Sequence, residues 1–144
     1  MKKFNFLKGL VFAFLFSISA SSCDKKEKVV KEIKGNGANK IYFFWGKDCP
    51  FCKKQKLFME NLLNKYEDIQ IIYLEVWNNN ENKKAFYRVL EKFGIKEKGV
   101  PTTFIGKEYI IGYEGDETTG KKLEEIILSC RENGCEDVVD KIIG

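Results

Sequence analysis

The feature that most constrains this chain is an abrupt change of hydrophobic period, with two cysteines at the junction. Ile41-Tyr42-Phe43-Phe44-Trp45 is a continuous apolar run of strand-forming residues. Such a run suits a strand buried on both faces. Gly46-Lys47-Asp48 reads as a turn. From Pro50 to Tyr66 the period becomes helical: Phe51, Phe58, Leu62 and Tyr66 recur on one stripe, with Met59 and Leu63 beside them and lysines opposite. The aromatic stripe reads as core packing. Cys49 and Cys52 therefore sit where a buried strand gives way to a helix.

The remaining pattern completes an alternating order. Ile69 to Val76 is a second apolar strand, broken by Asn78-Asn79-Asn80. Asn82 to Phe93 forms an amphipathic helix with Phe86, Val89, Leu90 and Phe93 on one stripe, and Gly94 ends it. Thr102 to Ile105 and Glu108 to Gly112 flank the turn Gly106-Lys107 and read as a hairpin. Thr118 or Thr119 is expected to cap a last helix running through Cys130, with a short helical turn within 135–143. The order is β-α-β-α-β-β-α. Two strands joined through a helix are expected to run parallel with a right-handed crossover, and the hairpin adds the antiparallel half. The expected fold is α/β, a four-stranded mixed sheet flanked by helices.

Two cysteines three apart at a helix start are close enough to form a disulfide. Backbone N–H groups left unpaired at that end stabilise a thiolate on the first sulfur, so such thiols ionise more readily than a free cysteine. Pro50 fits the first helical turn, because it has no N–H to lose and its φ is preset. Cys49 is expected to be the exposed nucleophile and Cys52 the resolving thiol. A plain structural disulfide is one alternative. Half of a four-cysteine zinc site with Cys130 and Cys135 is another, although the second pair has a different spacing and the chain has no histidine. The exchange chemistry needs no metal and no organic cofactor.

Trp45-Gly46-Lys47-Asp48-Cys49-Pro50-Phe51-Cys52 resembles the active-site segment of the thioredoxin superfamily, and its Pro-aromatic pair is most similar to glutaredoxins. Gly99-Val100-Pro101-Thr102-Thr103-Phe104-Ile105-Gly106, followed by Ile110-Ile111-Gly112-Tyr113, is also glutaredoxin-like. The resemblance covers roughly residues 39 to 130. It implies a thioredoxin-like fold and thiol–disulfide exchange. It also implies a cis proline at Pro101 beside the cysteines, and substrate contacts from Val100, Pro101 and Trp45. The chain departs from the family in two places. Phe43 stands where thioredoxins carry a buried aspartate, and Glu75 is either its substitute or a solvated carboxylate. The glutathione-holding pair of glutaredoxins is not reproduced in Tyr113-Glu114-Gly115-Asp116. Oxidising members often carry histidine inside the motif, so a chain without histidine points to a reductase or isomerase.

Cys130 and Cys135 enclose Arg131-Glu132-Asn133-Gly134, and Gly134 can turn the chain back on itself. A structural disulfide is the expectation, with a second redox-active pair as the alternative. Such a short loop implies roughly 2 kcal/mol of stabilisation in the chain-entropy model.

Residues 1–22 read as an export signal: Lys2, Lys3 and Lys8, then an apolar run from Leu10 to Ala20, then small residues. The run falls short of the ~20 residues of a spanning helix, although an uncleaved anchor is the alternative. Ala20-Ser21-Ser22-Cys23 resembles the lipobox of bacterial lipoproteins, apart from alanine where leucine is usual. It implies lipidation of Cys23, the one cysteine outside the two pairs; ordinary cleavage after Ser22 is the alternative. Residues 23–38 read as a polar tether and 39–144 as the domain. The formal charge is +4, and three of those charges lie in the signal, leaving +1. That is too little to argue for a nucleic-acid partner. The expected setting is the bacterial cell envelope, lipid-anchored, or soluble in the periplasm or secreted. The expected partners are thiols and disulfides of exported proteins and a membrane redox protein. A non-catalytic binding or metal-handling module is the competing class.

Overall fold

The computed structural model describes residues 39–144. The export signal, Cys23 and the tether lie outside the described residues. Strand β1 (Asn39–Trp45) leads into helix α1 (Pro50–Lys65), strand β2 (Ile69–Glu75) and helix α2 (Asn80–Lys92). Strands β3 (Thr102–Ile105) and β4 (Glu108–Ile111) follow. A π-helical turn (Asp116–Gly120) then precedes helices α3 (Lys121–Asn133) and α4 (Asp140–Ile143). The sheet order is β2-β1-β3-β4. β1 runs parallel to β2 and antiparallel to β3, and β3 pairs antiparallel with β4.

The uninterrupted apolar run of β1 is explained by its central place, because alternate residues feed two cores. Ile41 and Phe43 join Met59 and Leu62 of α1 and Leu123 and Ile127 of α3 on one face. Tyr42 and Phe44 join Phe86, Val89 and Leu90 of α2 and Phe104 of β3 on the other. The Tyr42 hydroxyl donates to Asp137 Oδ2 at 3.0 Å, and Lys40 Nζ lies 3.0 Å from the same oxygen, fastening the C-terminal segment to β1.

Three details differ from the sequence expectations. Phe51, assigned to the core stripe of α1, is 53% exposed, because the buried face of the helix runs through Cys52, Gln55, Met59 and Leu62 instead. Helix α2 starts at Asn80 rather than Asn82, because Asn79 Oδ1 accepts the backbone N–H groups of Glu81 and Asn82 at 3.0 Å each. The asparagine run is thus partly a cap and not only a breaker. Neither Thr118 nor Thr119 caps α3: Thr119 Oγ1 instead accepts the Glu114 N–H at 3.1 Å, and the chain enters α3 through the π-helical turn.

Cys130 and Cys135 form a disulfide at the end of α3. Gly134 takes φ +75°, and its N–H reaches back to Cys130 O at 2.9 Å. That positive φ is the backbone conformation a side chain disfavours, and it lets the loop close.

Candidate active site

Cys49 occupies the N-cap position of α1 with φ −73° and ψ 116°, and Pro50 opens the helix. The Gly46-Lys47-Asp48 turn is closed by the Cys49 N–H donating to Gly46 O at 3.1 Å. Cys49 and Cys52 are joined in a disulfide, with Cα atoms 5.2 Å apart. The Cys52 N–H donates to Cys49 Sγ at 3.1 Å, so the sulfur itself serves as the helix cap. A thiolate at that place keeps this hydrogen bond and gains the favourable end of the α1 dipole. Asp48, Lys47, Lys53 and Lys54 surround it but are exposed, so their charges are largely screened.

Cys49 was expected to be open to solvent, yet it is 3% exposed in the disulfide form. The covering comes from far along the chain: Cys49 Sγ lies 3.8 Å from the carbonyl oxygen of Val100. The Val100–Pro101 peptide is cis, and Pro101 is buried beside the pair while Val100 is half-buried. Cys52 is 1% exposed, as its one-turn-inward position requires. Trp45, at the end of β1, is half-buried with Lys56 Nζ 5.2 Å above its ring. The site thus gathers Cys49, Cys52, Val100, Pro101 and Trp45. Cys130 and Cys135 lie apart from it, beside an open groove of about 670 Å³ that includes neither Cys49 nor Cys52. Among the described residues, no three His, Cys, Asp or Glu side chains are arranged to hold a metal ion.

Glu75 is the strand-end carboxylate of the second reading, partly open to solvent at the end of β2, and it has structural work there. Its carboxylate accepts four backbone N–H groups, from Trp77 at 2.9 Å, Asn78 at 2.8 Å, Asn79 at 3.0 Å and Lys47 at 3.3 Å. It ties the β2–α2 loop to the turn that presents Cys49. Burial pushes its pKa up, but the four donors outweigh this and hold it below the ordinary glutamate value of 4.5. Four backbone donors on one carboxylate make it a strut between the loop and the turn. The folded pKa is the lower one, so the stabilisation is present above pH 4.5 and is lost as pH falls through the depressed value. Glu75→Gln is expected to cost about 1–2 kcal/mol at pH 7. Urea unfolding at pH 7 and pH 3 checks this: the gap to wild type should shrink at the lower pH.

Trp77 was not foreseen as part of the site. Its indole is exposed but lies across Gly46, where a Cβ would meet the ring at 2.3 Å. Gly46 is required by this close approach. Gln55 also escaped the sequence reading: it is buried, and its Nε2 donates to Thr103 Oγ1 at 2.6 Å. The only sequence signal for Gln55 was a polar residue three positions after Cys52, on the inward stripe.

A family description, the thioredoxin-like domain, matches residues 26–127. The chain belongs to the thioredoxin-like domain family. The mixed four-stranded sheet flanked by helices is the thioredoxin-like fold. Among solved structures, thioredoxin f of spinach chloroplast is 26% identical with a TM-score of 0.50, over 66% of this chain and 79% of that one. A protein of Agrobacterium tumefaciens is 13% identical with a TM-score of 0.56, over 71% of this chain and 49% of that one. A glutaredoxin of Archaeoglobus fulgidus is 22% identical with a TM-score of 0.46, over 63% and 88%. No curated protein matches the sequence. This thioredoxin-like domain carries a Cys-x-x-Cys pair of the thiol–disulfide oxidoreductase type. Among the described residues, no helix is long and apolar enough to cross a membrane.

Proposed function

We propose that this thioredoxin-like protein is a thiol–disulfide oxidoreductase of exported proteins, working as a reductase or isomerase through Cys49 and Cys52. The observation that carries the reading is the Cys49 sulfur serving as the cap of α1 while facing the Val100 carbonyl that precedes Pro101. In the reduced protein, Cys49 thiolate attacks a substrate disulfide. One substrate sulfur joins Cys49 and the other leaves as a thiolate. Cys52 then loses its proton and attacks Cys49 Sγ, which breaks the mixed disulfide and frees the second substrate thiolate. The protein has passed two electrons to the substrate sulfurs and now holds the Cys49–Cys52 disulfide, and a dithiol partner, itself oxidised to a disulfide, returns it to the dithiol.

Half-buried Val100 and Trp45, with the exposed rings of Phe51 and Trp77, lie around the pair and are the side chains this reading gives to substrate contact, Pro101 being buried behind them. Export through residues 1–22, lipidation of Cys23 and a membrane redox partner within reach of a tether complete the reading. The Cys130–Cys135 disulfide suits an oxidising compartment.

Insulin reduction by wild type, Cys49→Ser and Cys52→Ser tests the proposal. Wild type is expected to precipitate insulin chains well above background and both variants to fall to background. Equal rates in all three would end the enzyme reading.

A further inference from the structure

Gln55 and Thr103 are each 1% exposed, and the exchange steps above use neither. The Gln55 amide spends one end on Thr103, through Nε2 donating to Oγ1 at 2.6 Å. Its other end, Oε1, is buried with no hydrogen-bond partner among the described residues. Turning the amide over moves the orphan from oxygen to nitrogen and does not remove it. A buried polar atom without a partner is costly, and natural cores rarely keep one.

The place of this orphan is specific. Gln55 follows Cys52 by three positions in α1, and both side chains are buried toward the sheet. Helical side chains lean toward the helix N-terminus, so the Gln55 amide lies over the turn that carries Cys52. Thr103 pairs with Phe43 across β1 and β3, and Phe43 belongs with Cys52 to the apolar cluster beneath α1. Gln55 is therefore the buried polar side chain of α1 that follows Cys52 on the same inward face, and in the disulfide form its Oε1 makes no hydrogen bond to Cys52 Sγ.

In the disulfide, Cys52 Sγ is bonded to Cys49 and carries no hydrogen. In the dithiol it carries a buried S–H that needs an acceptor. We propose that Gln55 is a positioning residue that receives the Cys52 S–H in the reduced protein, with Thr103 holding its amide in place, and so favours the dithiol over the disulfide. This rests on the redox reading given above. The balance is simple. Two thiols of a reductant, such as two glutathione molecules, are oxidised to one disulfide, and the Cys49–Cys52 bond breaks. One of their protons resides on Cys52 Sγ, directed at Gln55 Oε1; the other goes to Cys49 or, where Cys49 stays a thiolate, to solvent. When Cys52 later attacks the mixed disulfide, its proton leaves to solvent and the hydrogen bond to Gln55 is lost. The amide accepts a hydrogen bond throughout and never the proton itself.

The test is the equilibrium of the full-length chain with reduced and oxidised glutathione. The Cys49 and Cys52 peptides are quantified by alkylation and mass spectrometry, so that Cys130–Cys135 does not contribute. Gln55→Leu and Gln55→Met are both expected to move the equilibrium about tenfold toward the disulfide, equal to about 30 mV. Thr103→Val should move it in the same direction by less. Unfolding of each form supplies a readout that a packing role alone would not give: Gln55→Leu should destabilise the reduced protein relative to the oxidised one. A shift below about threefold in both Gln55 variants, or one toward the dithiol, overturns the proposal. Gln55→Met keeps the side-chain length should Gln55→Leu fail to fold. The equilibrium needs no protein substrate, so wild type inactive on insulin would sink the proposed function while leaving this result readable.

Discussion

A Cys52→Ala variant is expected to capture its protein substrate in a covalent complex and release it only on addition of strong thiol reductant. The first attack belongs to Cys49, which the substitution leaves in place at the cap of α1. Release belongs to Cys52, whose sulfur is within bonding distance of Cys49 with no change of backbone. Well-oriented intramolecular reactions reach effective molarities of roughly 10⁵ M and above. An external thiol at millimolar concentration cannot replace that, so release should slow by several orders of magnitude. Cys49→Ala should form no complex, because it removes the sulfur at the cap of α1 beside the Val100 carbonyl and leaves Cys52 one turn further in. Non-reducing electrophoresis and mass spectrometry of the complexes provide the measurement. Both variants keep Cys23 and the Cys130–Cys135 pair, so a complex that forms equally in both would come from one of these, and the assignment of Cys49 as nucleophile would fail.

Local pattern made the scaffold of this site legible. The run from Ile41 to Trp45 has no polar face, and a central strand with a helix layer on each side needs none. Pro50 after Cys49 marked the helix start, because proline is tolerated only there. What the sequence could not disclose depends on distant partners. The covering of Cys49 comes from Val100, 51 positions away, and no local pattern encodes it. Gln55 sits in a lysine-rich helix, and its burial depends on Thr103, 48 positions away. Of the two readings of Glu75, a proton carrier or a solvated strand-end charge, the second matches its place at the end of β2. Its role as a loop strut follows from four N–H groups that converge only once the turn before Cys49 and the loop after β2 lie side by side. Phe51 satisfied the helical period, yet the face that packs inward runs through Cys52, Gln55, Met59 and Leu62, and period alone does not choose between neighbouring stripes.

The two-sided sheet makes a second large effect separable from the chemistry. Phe104 is fully buried, with ring centroids 5.7 Å from Phe44, 4.9 Å from Phe93 and 5.9 Å from Tyr109. Removing it opens a cavity on the α2 face, where four elements meet. Phe104→Ala is expected to cost about 3–5 kcal/mol, a large part of the roughly 5–15 kcal/mol that holds a domain of this size together. At about 4–8 °C per kcal/mol, the melting temperature of the oxidised protein should fall by more than about 10 °C. Phe104→Leu keeps most of the volume and should recover much of the loss. Thr103, the preceding residue on β3, faces the opposite layer, toward α1 and the cysteines. Its position is fixed by pairing with Phe43 and Ile110 on either side, and this pairing does not depend on the Phe104 ring. The glutathione equilibrium of Cys49–Cys52 should therefore stay within about twofold of wild type in Phe104→Ala while the stability falls. A shift as large as that expected of Gln55→Leu would mean that the two cores act as one. The redox equilibrium would then report general loosening of the sheet rather than a partner reserved for the inner thiol.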